Sequence, residues 1–126
     1  MEPLAAKPPA VLIIDDEQRN RSRLTELFVV LGLPTYTAEN ALRGLDIFRS
    51  NKEEIDLVFL DMLLPGTDSD DILKQLKKIN SGVKIICMSN NTKEIAKRIR
   101  EMADVGIVEK PVTINRVLNE LNEITK

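Results

Sequence analysis

A chain of 126 residues, 43% apolar and 30% charged, is long enough for one domain around one core. Its net charge of −2 gives no general attraction to nucleic acid or to an anionic membrane surface. The longest apolar run, Leu27 to Leu33, falls far short of the roughly 20 residues a membrane span needs. The absence of histidine excludes His-based metal sites, imidazole acid-base catalysis and Ser-His or Cys-His nucleophile pairs. A lone cysteine, Cys87, fits a reducing cytoplasm; set among Ile85, Ile86 and Met88, it reads as a small core hydrophobe. Met1 to Ala10 lacks the apolar centre of a secretion signal. Residues 1–9 are therefore expected to form a flexible, Pro-rich leader, and residues 10–126 the folded domain.

Val11 to Ile14 is a short apolar strand ending at Asp15-Asp16. A helix follows, with Leu24, Leu27, Phe28 and Leu31 spaced as its buried stripe; Gly32 stops it and Pro34 forbids an early restart. Thr35 to Ala38 is a β-type segment, and Asn40 caps a second helix with Ala41, Leu45 and Phe48 inward. Ile55 to Asp61 is a near-continuous apolar run closed by the turn residues Pro65-Gly66, the pattern of a strand buried on both faces. A third helix starts near Thr67 or Asp68 and buries Ile72, Leu76 and Ile79. Val83 to Met88 is a fourth strand ending at Ser89. Asn90-Asn91-Thr92 caps a fourth helix with Ile95, Ile99 and Met102 inward. Val105 to Val108 is a fifth strand running into Glu109-Lys110-Pro111, and Thr113 caps a last helix with the stripe Ile114, Val117, Leu118 and Leu121. On helix four, Lys93, Lys97 and Arg100 form a basic stripe, with Glu94–Arg98 and Lys97–Glu101 at ion-pair spacing.

Strands alternating with helices through short connections predict an α/β fold. We expect a doubly wound, flavodoxin-like (βα)5 sandwich with a parallel sheet in the order 2-1-3-4-5. In that order Asp15, Asp16, Asp61, Ser89 and Lys110, all at strand-to-helix junctions, meet on one edge of the sheet. Three carboxylates together repel, each pair about 4 Å apart costing on the order of 4 kcal/mol at an effective dielectric near 20. A cation relieves this, and hard oxygen donors in a partly open site suit Mg2+. Lys110 adds a point charge and Ser89 a hydroxyl, so the set suits phosphoryl transfer onto the Asp61 carboxylate. Taken singly, each residue has a plainer reading: Asp15-Asp16 as a helix cap, Asp61 as a turn residue, Ser89 as a cap, Lys110 as a surface charge.

The motifs VLIIDDE, LVFLDMLLPG, ICMS and EKP, each at the end of its strand, closely resemble the receiver domain of bacterial two-component response regulators, over residues 10–125. The resemblance implies a signalling phosphoacceptor rather than an enzyme. Asp61 would receive a phosphoryl group from a sensor histidine kinase or a histidine phosphotransfer protein, which must supply the histidine this chain lacks. Mg2+ would be held directly by Asp16 and Asp61, through water by Asp15, and by the backbone carbonyl of Leu63. Lys110 would pair with Asp61 and then with its phosphoryl group, and Ser89 would hydrogen-bond the phosphoryl oxygens. A cis Lys110-Pro111 bond is usual in the family. Helix four, strand five and helix five are where such domains meet a downstream partner or an output domain. Phosphorylation-dependent homodimers are open, whereas nucleic acid and membrane are not expected partners of this chain.

Four positions depart from the family pattern: Ile107 where an aromatic is usual, Asn90 where a small residue is usual, Ser69 for Gly and Val112 for Phe. None removes a reactive group, but Ile107 takes away the aromatic rotor of the switch. Two alternatives follow. One is a pseudo-receiver acting as a constitutive interaction module. The other is a Mg2+-dependent phosphohydrolase with an aspartyl nucleophile, weakened because such enzymes carry the nucleophile after strand one with a second Asp two residues on, where this chain has Glu17.

Overall fold

The apolar runs become five parallel strands of one sheet: β1 (Ala10–Ile14), β2 (Thr35–Ala38), β3 (Ile55–Asp61), β4 (Lys84–Ser89) and β5 (Val105–Glu109). The computed structural model describes residues 8–124, so the expected leader lies almost wholly outside the described residues. Strand order is β2-β1-β3-β4-β5, the doubly wound arrangement that the alternation predicts. The helices between the strands are α1 (Gln18–Val30), α2 (Ala41–Ser50), α3 (Ser69–Ile79), α4 (Thr92–Ile99) and α5 (Ile114–Ile124).

Period-two alternation sends successive strand residues to opposite faces, and both faces are covered. Leu12, Ile14, Val58, Leu60, Ile85 and Cys87 pack under α2, α3 and α4. Val11, Ile13, Phe59, Ile86 and Met88 pack under α1 and α5, where Phe28 meets Phe59 with ring centroids 5.2 Å apart. Each such fully buried side chain contributes roughly 1.5–3 kcal/mol relative to exposure. Together they hold the strand ends in place. On the first face α2 lies so close to β1 that a Cβ at Gly44 would sit 2.5 Å from Ile14 Cδ1.

The helix ends follow local chemistry. Asn40 accepts from the Arg43 N–H, Asn91 from Glu94 and Thr113 from Arg116, as expected; Asp68 caps α3. α1 closes with Gly32 at φ +75°, where the Leu33 N–H bonds the Phe28 carbonyl and the Gly32 N–H the Val29 carbonyl. This left-handed closure turns Leu31 outward, to 42% exposure, so Leu31 leaves the predicted stripe. α5 shows a similar narrowing. Val117 is fully buried, but Ile114 and Leu118 are exposed, because α5 packs along edge strand β5 and only part of its apolar face is covered. Arg98 likewise turns from the expected Glu94 to Asp70 on α3, 2.9 Å away. Among the described residues no helix is long and apolar enough to cross a membrane.

Candidate functional site

At the C-terminal edge of the sheet, β1 hands over to Asp15-Asp16, β3 ends on Asp61, β4 ends on Ser89, and Lys110 follows β5. Because β1, β3, β4 and β5 are successive neighbours, their ends lie side by side. The structure brings the predicted acids together: Asp15, Asp16 and Asp61 each offer a carboxylate oxygen, and these oxygens lie within 4.8 Å of one another. Lys110 Nζ stands 3.1 Å from Asp61 Oδ1, and the Leu63 N–H donates to the same oxygen at 2.9 Å. Asp61 Oδ2 accepts no hydrogen bond from any described residue, leaving its lone pairs for an incoming group. The Leu63 carbonyl is equally uncommitted among the described residues.

Burial sharpens these charges. Asp15 and Asp61 are buried and Asp16 is exposed, so the cluster opens to solvent on the Asp16 side. An all-oxygen, acidic donor set of this kind fits a hard divalent cation. Asp15 is held tightly: its Oδ1 accepts from the Glu17 N–H at 2.9 Å and its Oδ2 from Asn20 Nδ2 at 2.6 Å. Ser89 is buried, and its Oγ accepts from the Asn91 N–H at 2.9 Å, so its hydroxyl proton remains to donate. The Lys110 N–H bonds the Ser89 carbonyl at 2.9 Å, tying the two junctions together before the cis Lys110-Pro111 bond.

The positions that depart from the family pattern are also placed. Asn90 is exposed and makes no hydrogen bond to Asp61. Ile107 is half-buried on β5, and Ser69 is buried with its Oγ bonded to the Met62 carbonyl at 2.9 Å. Reasoning from sequence overlooks Asn20 and Arg21; Arg21 donates to the Asp15 carbonyl at 2.8 Å. The available signal was Asn20 itself, a polar residue four before Leu24 on the apolar stripe of α1. A cavity of about 670 Å3, lined by Leu33, Leu57, Leu118 and Leu121 among others, lies at the other end of the strands and has no part in this chemistry. Cys87 is buried, and desolvation pushes its thiol up to about 12, so it is not a nucleophile here.

The response regulator receiver domain family matches residues 11–122. The chain is 35% identical over 108 residues to sporulation initiation phosphotransferase F of Bacillus subtilis, covering 85% of this chain and 86% of that protein. It is 27% identical over 114 residues to the autoinducer 1 sensor kinase/phosphatase LuxN of Vibrio harveyi, covering 90% of this chain but only 13% of that longer protein. Among solved structures, a response regulator receiver domain protein from Clostridium thermocellum superposes with a TM-score of 0.81 at 30% identity, over 92% of this chain and 93% of that one.

Proposed function

Because the chain belongs to the response regulator receiver domain family, we propose that Asp61 is its phosphoacceptor, fed by a sensor histidine kinase or a histidine phosphotransfer protein. The observation that carries this reading is the Asp61 carboxylate at 3.1 Å from Lys110 and within 4.8 Å of two further carboxylates. In the reaction an Asp61 oxygen attacks phosphorus, an acyl phosphate O–P bond forms, and the P–N bond to the donor imidazole breaks, the freed ring keeping the electron pair and taking a proton. The same attack on acetyl phosphate releases acetate. Lys110 stays paired with Asp61 Oδ1 before transfer and follows the phosphoryl oxygens afterwards, offsetting their charge. The Leu63 N–H holds Oδ1 in place, which keeps the carboxylate oriented for in-line attack.

Asp16 and Asp61, with Asp15 through water and the Leu63 carbonyl, are the residues that would hold Mg2+; bound there, it supplies charge neutralisation for the carboxylates and the incoming phosphoryl group. Ser89 is the switch hydroxyl: its free proton turns to a phosphoryl oxygen, and the strain passes through Asn91 to α4 and through Lys110 to β5. With Ile107 in place of an aromatic, readout falls to α4, β5 and α5 without a rotating ring. These elements form the surface for a downstream partner or an output domain. A cytoplasmic setting follows from the reading, since the kinases' phosphodonor chemistry is intracellular.

Incubation with Mg2+ and acetyl phosphate, followed by mass spectrometry, tests the proposal. One added phosphoryl group, absent from Asp61→Asn, is the expected result. A chain that stays unmodified is a pseudo-receiver, and one that turns over many equivalents of donor is a hydrolase; either outcome overturns the reading.

A further inference from the structure

We infer that Asn20 is a positioning residue for the acidic site, holding Asp15 so rigidly that the site prefers the small ion Mg2+ to Ca2+. The inference rests on the metal-assisted reading above. Asp15 is fully buried, and its two oxygens are held by different donors, Oδ1 by the Glu17 N–H at 2.9 Å and Oδ2 by Asn20 Nδ2 at 2.6 Å. One donor would let the carboxylate pivot; two fix both its direction and its plane. The backbone beneath is fixed as well, by the Asp15 N–H on the Ala38 carbonyl at 3.0 Å and by Arg21 on the Asp15 carbonyl at 2.8 Å. Asp16, exposed, has no such clamp among the described residues. Asp61 is held by Lys110 and the Leu63 N–H, both on Oδ1, so among the described residues Asp15 is the one carboxylate of the three with a protein donor on each oxygen.

Asn20 shares the inner stripe of α1 with Leu24, Leu27 and Phe28, where an apolar side chain would pack without any desolvation cost. Its amide is there for Asp15. Asp15 would reach the ion through a bound water, so Asn20 fixes the carboxylate that aims that water, and removing such outer-shell partners typically changes metal affinity 10- to 100-fold. Rigidity also discriminates: Mg2+ demands near-ideal octahedral geometry with short bonds, whereas Ca2+ accepts longer, irregular coordination. Loosening Asp15 should thus cost Mg2+ more than Ca2+.

The test is an NMR titration of the 15N-labelled full chain with MgCl2 and with CaCl2, without any phosphodonor. In the wild type, Mg2+ should shift the Leu63 backbone amide and the Asn20 side-chain amide with one common midpoint. In Asn20→Leu, which keeps the stripe apolar, the Mg2+ Kd should rise about tenfold while the Ca2+ Kd moves less, so the preference narrows. An unchanged Kd ratio, including equal weakening of both ions, overturns the inference and leaves Asn20 a tether for α1. Should Asn20→Leu fail to fold, a wild-type Asn20 side-chain signal that stays still through Mg2+ saturation overturns it equally. A wild type that binds neither ion instead overturns the metal-assisted reading, and is recognised before any variant is made.

Discussion

Neutralising Asp61 should cost the metal-free protein little and should abolish most of its stabilisation by Mg2+. At an effective dielectric near 20, Lys110 at 3.1 Å attracts the Asp61 carboxylate by about 5 kcal/mol. Two carboxylates within 4.8 Å each repel it by at least about 3.5 kcal/mol before screening, and solvent reduces the share of exposed Asp16. The two sums nearly cancel. Asp61→Asn in EDTA is therefore expected to change stability by no more than about 2 kcal/mol, although breaking a buried ion pair commonly costs about 3–5 kcal/mol. Mg2+ at 100 times its Kd should add about 2.7 kcal/mol to the wild type. On a domain of this size that is a rise in Tm of about 10 °C. The variant, lacking the proposed Asp61 ligand, should gain only a small fraction of it. Thermal melts followed by far-UV circular dichroism, in EDTA and in MgCl2, read both quantities; the chain has no Trp for fluorescence. A loss of 3–5 kcal/mol in EDTA, or equal Mg2+ shifts for the two proteins, would refute the charge balance drawn here.

Two further predictions concern the scaffold. Gly44→Ala places a methyl 2.5 Å from Ile14 Cδ1 and 2.7 Å from Cγ1. Overpacking of about 1–3 kcal/mol, set against a helix-propensity gain of about 1 kcal/mol, predicts a net loss near 1 kcal/mol in urea melts. Since Ile14 precedes Asp15, Mg2+ affinity should fall too, and a variant more stable than wild type contradicts the packing. Cys87, raised by burial to about 12, should resist alkylation at pH 8 until urea unfolds the chain. Its folded value lies above its ordinary one, so its contribution is full below about pH 9 and is lost as pH climbs from about 9 to 12, by up to about 1.4 kcal/mol per unit. Cys87→Ala should flatten that alkaline slope in stability; an unchanged slope removes Cys87 as its cause.

Residue order alone determined the elements and their chemistry. The run Ile55 to Asp61 has no polar period because both faces of β3 are covered, and the inward sets Ala41, Leu45, Phe48 and Ile95, Ile99 emerge buried as their spacing requires. Asn40, Asn91 and Thr113 cap their helices because capping needs only a side chain and an N–H two or three residues away. Alternation of strand and helix sufficed for the doubly wound sheet, and the sheet order for which junctions share an edge.

Tertiary structure alone decided how much of each stripe is covered and how the polar groups pair. Periodicity names the face of a helix, but the width of the buried band depends on the neighbour: β5, at the edge, leaves Ile114 and Leu118 uncovered, and the left-handed closure of α1 frees Leu31. Arg98 pairs across to Asp70 because α3 lies within its reach, a distance that no spacing along α4 encodes. Asn20 was hidden for the same reason. A lone polar residue on an apolar stripe acquires meaning only when its partner Asp15 is seen 2.6 Å away. Local forces act over a few residues and can be read in order, whereas a clamp on a carboxylate is a matter of ångströms that only the packed chain sets.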